Sequence, residues 1–283
     1  MAQPIRRKRT VKKNKPRFFG KWFLVVFSFF LLLIITIGIY KFRDGFLYYL
    51  GFKTDKYANE LSADERKLTD IRIYEVLHKH DNKAIGFDVS EYQSEIDWEQ
   101  TYHIDEAFEL SFVFIRSTAG KDKIDSKFKE NWKAAKERQL IRGAYHYYRP
   151  NENSIEQAEN FIKTVKLQKG DLPPVLDIEK LPKSQSIDSL KVGLRRWLNR
   201  VEKHYKVKPI IYSGESYYTD FLKEEFSEYQ LWIANYNFWR NDLESDWQFW
   251  QFTEKAQIEG IKGMVDINIF NGDKNKLMLK CIR

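Results

Sequence analysis

Residues 22–40 read WFLVVFSFFLLLIITIGIY, nineteen positions without a charge, and no other feature constrains the chain as strongly. Coiled as a helix, such a run crosses a hydrocarbon core of roughly 30 Å, and a helix is one of the few structures that satisfy their own backbone in lipid. Burying it in a soluble core instead would need a fold around it, and the segment in front could not follow it there. Residues 1–21 carry nine lysines and arginines and no acid. A cleaved leader would have a shorter apolar stretch with small residues at its end. This one closes on Ile39, Tyr40, Lys41 and Phe42, so an uncleaved anchor is expected. The positive flank then keeps the N-terminus cytoplasmic and places residues from about 45 onward outside the cytoplasm, in periplasm or cell exterior.

The same tail explains the formal net charge of +8: without its nine cations the rest of the chain stands at −1. A nucleic-acid partner argued from basicity would therefore rest on the tail and not on the folded part, and none is expected. The single cysteine, Cys281, cannot form a disulfide within the chain, so the exported part must be held by its core. His78, His80, His103, His146 and His204 show no ligand spacing, and neither a metal nor a cofactor is expected.

Residues 41–83 are rich in charge and read as a juxtamembrane stalk, with Ser62 and Glu65 spaced as a capping box that starts a helix near Ala63. Whether 71–78 continues that helix or turns to strand is open, because Ile71, Ile73, Tyr74 and Leu77 satisfy parts of both periods. From residue 84 to 283, β-rich runs at 85–89, 112–116, 143–148, 174–178, 209–213, 231–235, 248–253 and 265–270 make eight candidate strands. Amphipathic segments at 127–139, 154–168, 187–205 and 215–226 separate the earlier ones, which is the alternation of a parallel α/β sheet. After Tyr229 the spacers shorten and become turn-like, so the prediction is a TIM-like barrel whose last part has lost its helices.

Several of these strands end in an acid: Asp88 closes the first, Asp177 and Glu179 close Val175-Leu-Asp-Ile-Glu179, and Asp266 lies in the last. In a (β/α)8 barrel the C-terminal strand ends meet on one face, so acids distant in sequence converge there. Asp177 and Glu179 are two apart and project to the same side of a strand. Carboxyl groups held close cannot all ionise easily, so one keeps its proton near neutral pH and becomes a general acid. Tyrosines and tryptophans near the strand ends, among them Tyr92, Tyr145, Tyr147, Tyr212, Trp232 and Tyr236, offer flat faces for sugar rings, although barrel packing explains any one of them about as well.

The chain resembles glycoside hydrolase family 25, the Chalaropsis-type lysozymes. The likeness runs in order through Gly86-Phe-Asp-Val-Ser90 with Tyr92-Gln93, Phe112-Val-Phe-Ile-Arg-Ser-Thr118, Gly143-Ala-Tyr-His-Tyr147, Leu172-Pro-Pro-Val-Leu-Asp-Ile-Glu179, Trp232-Ile-Ala-Asn-Tyr236, Trp250-Gln-Phe-Thr253 and Gly263-Met-Val-Asp-Ile-Asn268. The resemblance implies an irregular (β/α)5(β)3 barrel. It also implies cleavage of the β-1,4 bond between N-acetylmuramic acid and N-acetylglucosamine in peptidoglycan glycan strands. By the same likeness Glu179 is the general acid, Asp177 the carboxylate that steadies the substrate's acetamido group, and Asp88 and Asp266 the further acids of the pocket. Gln93, Arg116, Tyr145, Tyr147, Trp232, Tyr236, Trp250 and Gln251 fall at positions expected to bind substrate. The family is taken to retain configuration by substrate assistance, outside the usual two-carboxylate scheme.

One block departs from the pattern. The family reads A-T-E-G where this chain has Ser117-Thr-Ala-Gly120, and Arg116 stands where lysine is common. Neither change touches the four acids, so altered substrate contacts are expected, not loss of activity. The rival class is a glycan-binding module without catalysis, against which the retention of four clustered acids argues.

Overall fold

The computed structural model describes residues 19–43 and 63–283; the basic tail before Phe19, residues 44–62 of the expected stalk, and with them the Ser62 cap, lie outside the described residues. The chain divides into two units, Met1–Leu47 and Tyr48–Arg283. In the first, helix α1 (Phe19–Lys41) has a segment, Trp22–Lys41, with a mean hydropathy of 2.8, long and apolar enough to cross a membrane. Its polar Thr36 donates back to the carbonyl of Leu32 at 2.8 Å, which leaves no unpaired hydroxyl along the apolar surface at that point.

In the second unit eight strands close into a barrel: β1 (Ile85–Val89), β3 (Phe108–Ala119), β5 (Ile141–Tyr147), β6 (Val175–Asp177), β7 (Ile210–Gly214), β8 (Gln230–Ala234), β9 (Trp247–Ala256) and β10 (Val265–Phe270). Two short strands, β2 (His103–Ile104) and β4 (Lys123–Ile124), add to β3 outside the ring. From β1 through β9 neighbouring strands run parallel, and β10 closes the ring antiparallel to both β9 and β1. The predicted irregular barrel is thus what forms. Helices α3 (Phe128–Glu137), α4 (Ser154–Thr164) and α5 (Ile187–Tyr205) follow β3, β5 and β6, and short helical turns over Glu215–Tyr217, Tyr218–Leu222 and Lys223–Phe226 follow β7. The sequence sets their ends: Asn153 caps α4 and Ser186 caps α5 through side-chain oxygens that accept backbone N–H groups.

Alternation along each strand sorts the side chains into two layers. Facing inward, Phe112, Phe114, Val175, Ile210, Trp232, Phe249 and Phe270 belong to one buried cluster that fills the lower barrel. Phe114 stacks on Trp232 with ring centroids 4.2 Å apart. Two glycines make room: a Cβ on Gly86 would lie 2.4 Å from the Phe112 carbonyl oxygen, and one on Gly143 would lie 2.5 Å from the Phe114 ring. Residues facing outward, such as Val113, Leu176, Ile211, Ile233 and Ile267, join the larger cluster beneath the helices.

Where the crossover helices give out, the N-terminal side of the chain supplies one. Helix α2 (Ala63–Lys79) begins at the predicted position and runs unbroken through 71–78. It buries Thr69, Arg72, Ile73, Val76 and Leu77, a spacing that forms one helical face. Beyond its end His80 meets Trp250 of β9 edge-on, with ring centroids 6.2 Å apart. The predicted stalk of 41–83 is corrected accordingly: from Ala63 on it is part of the globular unit. Arg72 holds this contact. It is 2% exposed and donates to Asn241 Oδ1 at 2.6 Å, to the Asn237 carbonyl at 3.2 Å and to the Arg240 carbonyl. Arg72→Ala strands three acceptors and empties a buried site, so it is expected to lower unfolding stability by about 3 kcal/mol, read by denaturant titration.

Candidate active site

Above the aromatic floor the inward positions turn polar and line a cavity of about 370 Å3. Asp88 comes from β1, Asp177 from the end of β6 and Asp266 from β10, and Asp88 sits directly opposite Asp266 in the β1–β10 register. β6 ends at Asp177, yet the Ile178 N–H still bonds to the Tyr212 carbonyl at 3.0 Å. The alternation therefore carries on for two more residues: Ile178 is buried in the outer layer, and Glu179 returns to the cavity at its exposed mouth. The four acids are thus brought to one place by three strands.

Asp88 is the best braced. Its Oδ2 accepts from Asn268 Nδ2 and Gln251 Nε2, both at 2.8 Å. Asn268 in turn accepts from Trp232 Nε1 at 2.7 Å, and Gln251 accepts from the hydroxyls of Tyr212, at 2.7 Å, and Tyr236. Burial pushes the Asp88 carboxyl up to about 7, opposed by the two amide donors and helped by the charge of Glu179. Asp177 is 4% exposed, and its Oδ1 has no hydrogen-bond partner. Burial, then the charges of Glu179 and Asp88, hold its carboxyl well above the usual range against the pull of Arg116 and Lys180. Asp266 is likewise raised, by burial first and then by Asp88, Glu254 and Glu179. Acids gathered in this way hold their protons more tightly than free carboxyls do, and Asp177 offers one oxygen without a partner to whatever enters.

Arg116 reaches the cavity from β3, with Nε on Asp125 Oδ2 at 2.8 Å and Nη2 on Glu91 Oε1 at 3.1 Å, beneath the exposed ring of Tyr92 4.5 Å from its guanidinium carbon. Across the mouth the ring of Tyr147 lies 5.4 Å from Lys180 Nζ.

Residues 87–261 match the profile described as "Glycosyl hydrolases family 25". The chain belongs to that family. Its relatives include YegX of Escherichia coli K12, 41% identical over 194 residues, which are 68% of this chain and 71% of that protein. Lysozyme M1 of Streptomyces globisporus is 31% identical over 208 residues, covering 68% of this chain and 69% of the lysozyme. The solved structure of a family 25 glycosyl hydrolase from Bacillus anthracis superposes with a TM-score of 0.63 at 29% identity, over 71% of this chain and 95% of its own. The protein is a glycoside hydrolase.

Of the side chains singled out from the sequence, Gln93, Arg116, Tyr145, Tyr147, Trp232, Tyr236 and Gln251 line the cavity together with the four acids. Gln93 does so with its amide oxygen occupied by the Ser90 N–H at 2.9 Å. Trp250 is the exception and is corrected here. Gln251 faces inward, so its neighbour must face outward; the indole is fully buried against Phe252 and His80, and its N–H bonds to the Asn235 carbonyl at 2.9 Å. Sequence reasoning passed over Asn268 and Glu254. Asn268 stands two residues beyond Asp266 and shares its side of the strand, a signal that was available. Glu254 gave no such signal.

Proposed function

We propose that the chain cleaves the β-1,4 bond from N-acetylmuramic acid to N-acetylglucosamine in peptidoglycan, with Glu179 as general acid and base and with the 2-acetamido group of the muramyl ring as nucleophile. The observation that carries this reading is the buried Asp177 Oδ1 without a partner, on the same face as Glu179 and beside Asp88. It suits the N–H of an acetamido group. Held there, the acetamido oxygen is turned toward the anomeric carbon, and the positive charge that develops on the closing ring is stabilised by the Asp177 carboxylate in a site shielded from water. Glu179, exposed at the mouth, gives its proton to the leaving oxygen and later takes one from the water that opens the intermediate. Asp88 and Asp266 complete the polar lining, and the Trp232–Asn268–Asp88–Gln251 chain of hydrogen bonds keeps that wall rigid. Tyr92 and Tyr147 supply ring faces at the entrance.

The relatives' names, a lysozyme and an autolytic lysozyme among them, support the substrate class. The apolar helix α1 and the basic residues before it support a single-pass anchor with a cytoplasmic N-terminus and the barrel beyond the membrane, so that action is local to the envelope of the cell that makes it. Two successive displacements at one carbon retain configuration. The product's first-formed anomer, followed by NMR during digestion, is expected to be β; α would mean that water attacks directly and would remove the acetamido step.

A further inference from the structure

The strands β9 and β10 carry an irregularity that the reaction does not explain. Thr253 pairs with Ile267 and Ala256 with Val265, so two residues, Glu254 and Lys255, stand against the single residue Asp266. Phe249 and Gln251 face the barrel interior while Trp250 and Phe252 face outward, and unbroken alternation would send Glu254 outward with them. A second irregularity just before it re-aims it: Gln251 pairs with Asn268 and Thr253 with Ile267, so Phe252 is an extra residue that reverses the sides taken after it, and Glu254 lines the active cavity.

With Glu254 the cavity carries five carboxyl groups, and among the described lining residues one cation, Arg116, which is itself turned to Asp125 and Glu91. Proton donation and charge stabilisation by Glu179 and Asp177 do not call for a fifth acid. Among the described residues no three carboxyls converge closely enough to grip one ion, so their charge is spread along the wall that the substrate touches. Such a surface is complementary to a primary ammonium group.

We infer that Glu254, placed by the β9 bulge beside Asp266, is a specificity-determining residue that favours glycan strands whose glucosamine units carry a free 2-amino group over fully N-acetylated strands. This rests on the peptidoglycan-hydrolase reading. The muramyl acetamido group is needed as nucleophile, which assigns the free amine to the adjoining glucosamine. Its ammonium would meet Glu254 and Asp266 in the place of an acetyl group that offers them one amide N–H.

The test uses the full-length protein in detergent and one batch of peptidoglycan divided in two, one half de-N-acetylated at glucosamine and the other fully N-acetylated. Each half is assayed intact and as glycan strands freed of stem peptides, with kcat and KM from reducing-end release. Wild type is expected to show a kcat/KM for the amine-bearing strand higher on the order of ten-fold, on peptide-free strands as well as intact ones. Glu254→Gln should bring that ratio close to one, and Glu254→Asp should keep most of it. Because the reading is a ratio, partial loss of fold does not imitate it. Equal rates on both strands in wild type, a ratio unmoved by Glu254→Gln, or a preference confined to strands that keep their stem peptides would each overturn the proposal while leaving the hydrolase reading in place. No cleavage of any strand by wild type would remove both.

Discussion

Glu179→Gln is expected to stop peptidoglycan clearing, with kcat lowered roughly 10³-fold or more, the range associated with removing a general acid that also serves as the base. The amide keeps the shape of the side chain but has no proton of the right acidity to give to the leaving oxygen. Glu179 is exposed at the cavity mouth, so the exchange leaves the packing of the barrel untouched and the unfolding transition within about 0.5 kcal/mol of wild type. Turbidity loss on purified cell walls and circular dichroism on the same sample check the two halves of the expectation. Clearing by the variant at a wild-type rate would move the acid role elsewhere. Walls bound but not cleared by wild type itself would favour a glycan-binding module.

Asp177→Asn is expected to have an effect of opposite sign on activity and on stability. Losing the carboxylate that faces the closing acetamido ring should lower kcat by about 10²–10³, with a smaller change in KM, because the interaction strengthens as charge develops. The fold, by contrast, gains. Asp177 is buried among Glu179 and Asp88, and its folded-state affinity for a proton is raised by that burial and those charges above the ordinary value of 3.8. A carboxyl raised in the folded state binds protons more tightly there than in the unfolded chain, so stability increases as pH falls through the folded value and is lowest above it. The same sign holds for Asp88, whose value near 7 against 3.8 places its contribution between those limits. His146 acts the other way. Burial in contact with Thr118 and Gln157 pushes it down to about 3, so the unfolded chain takes its proton first and stability is lost as pH falls below about 6.5. At about pH 8 His146 is neutral in both states, and a raised carboxyl costs the fold at least as much there as at any lower pH. Thermal unfolding there should show Asp177→Asn melting higher than wild type; a lower melting point would mean that the carboxylate is structurally satisfied.

Where burial and strand period coincide, the sequence was read almost to the residue. Strand Ile85–Val89, strand Val265–Phe270 and helix Ile187–Tyr205 formed at the predicted limits because each has a regular apolar face and, for the helix, a serine cap. The D-x-E pair at Asp177 and Glu179 was legible for the same reason: period two fixes which side a residue takes even after the strand ends. The start of helix α2 near Ala63 was legible too, but its docking on the globular unit was not, because its buried face includes Thr69 and Arg72, and an arginine that satisfies backbone carbonyls looks like surface charge in a sequence. Trp250 misled in the reverse direction. Both faces of a barrel strand are buried, so an aromatic beside a glutamine can belong to the outer layer while the glutamine takes the inner one. Glu254 could not be found by alternation at all, since its place depends on a bulge that the spacing of its neighbours does not announce.

The barrel mouth is held to cut one particular glycosidic linkage, and the new reducing end records which. Purified peptidoglycan digested by the full-length protein, reduced with borohydride and separated by mass, should yield fragments that all end in muramitol. Fragments ending in glucosaminitol, or an undigested polymer, would contradict the account.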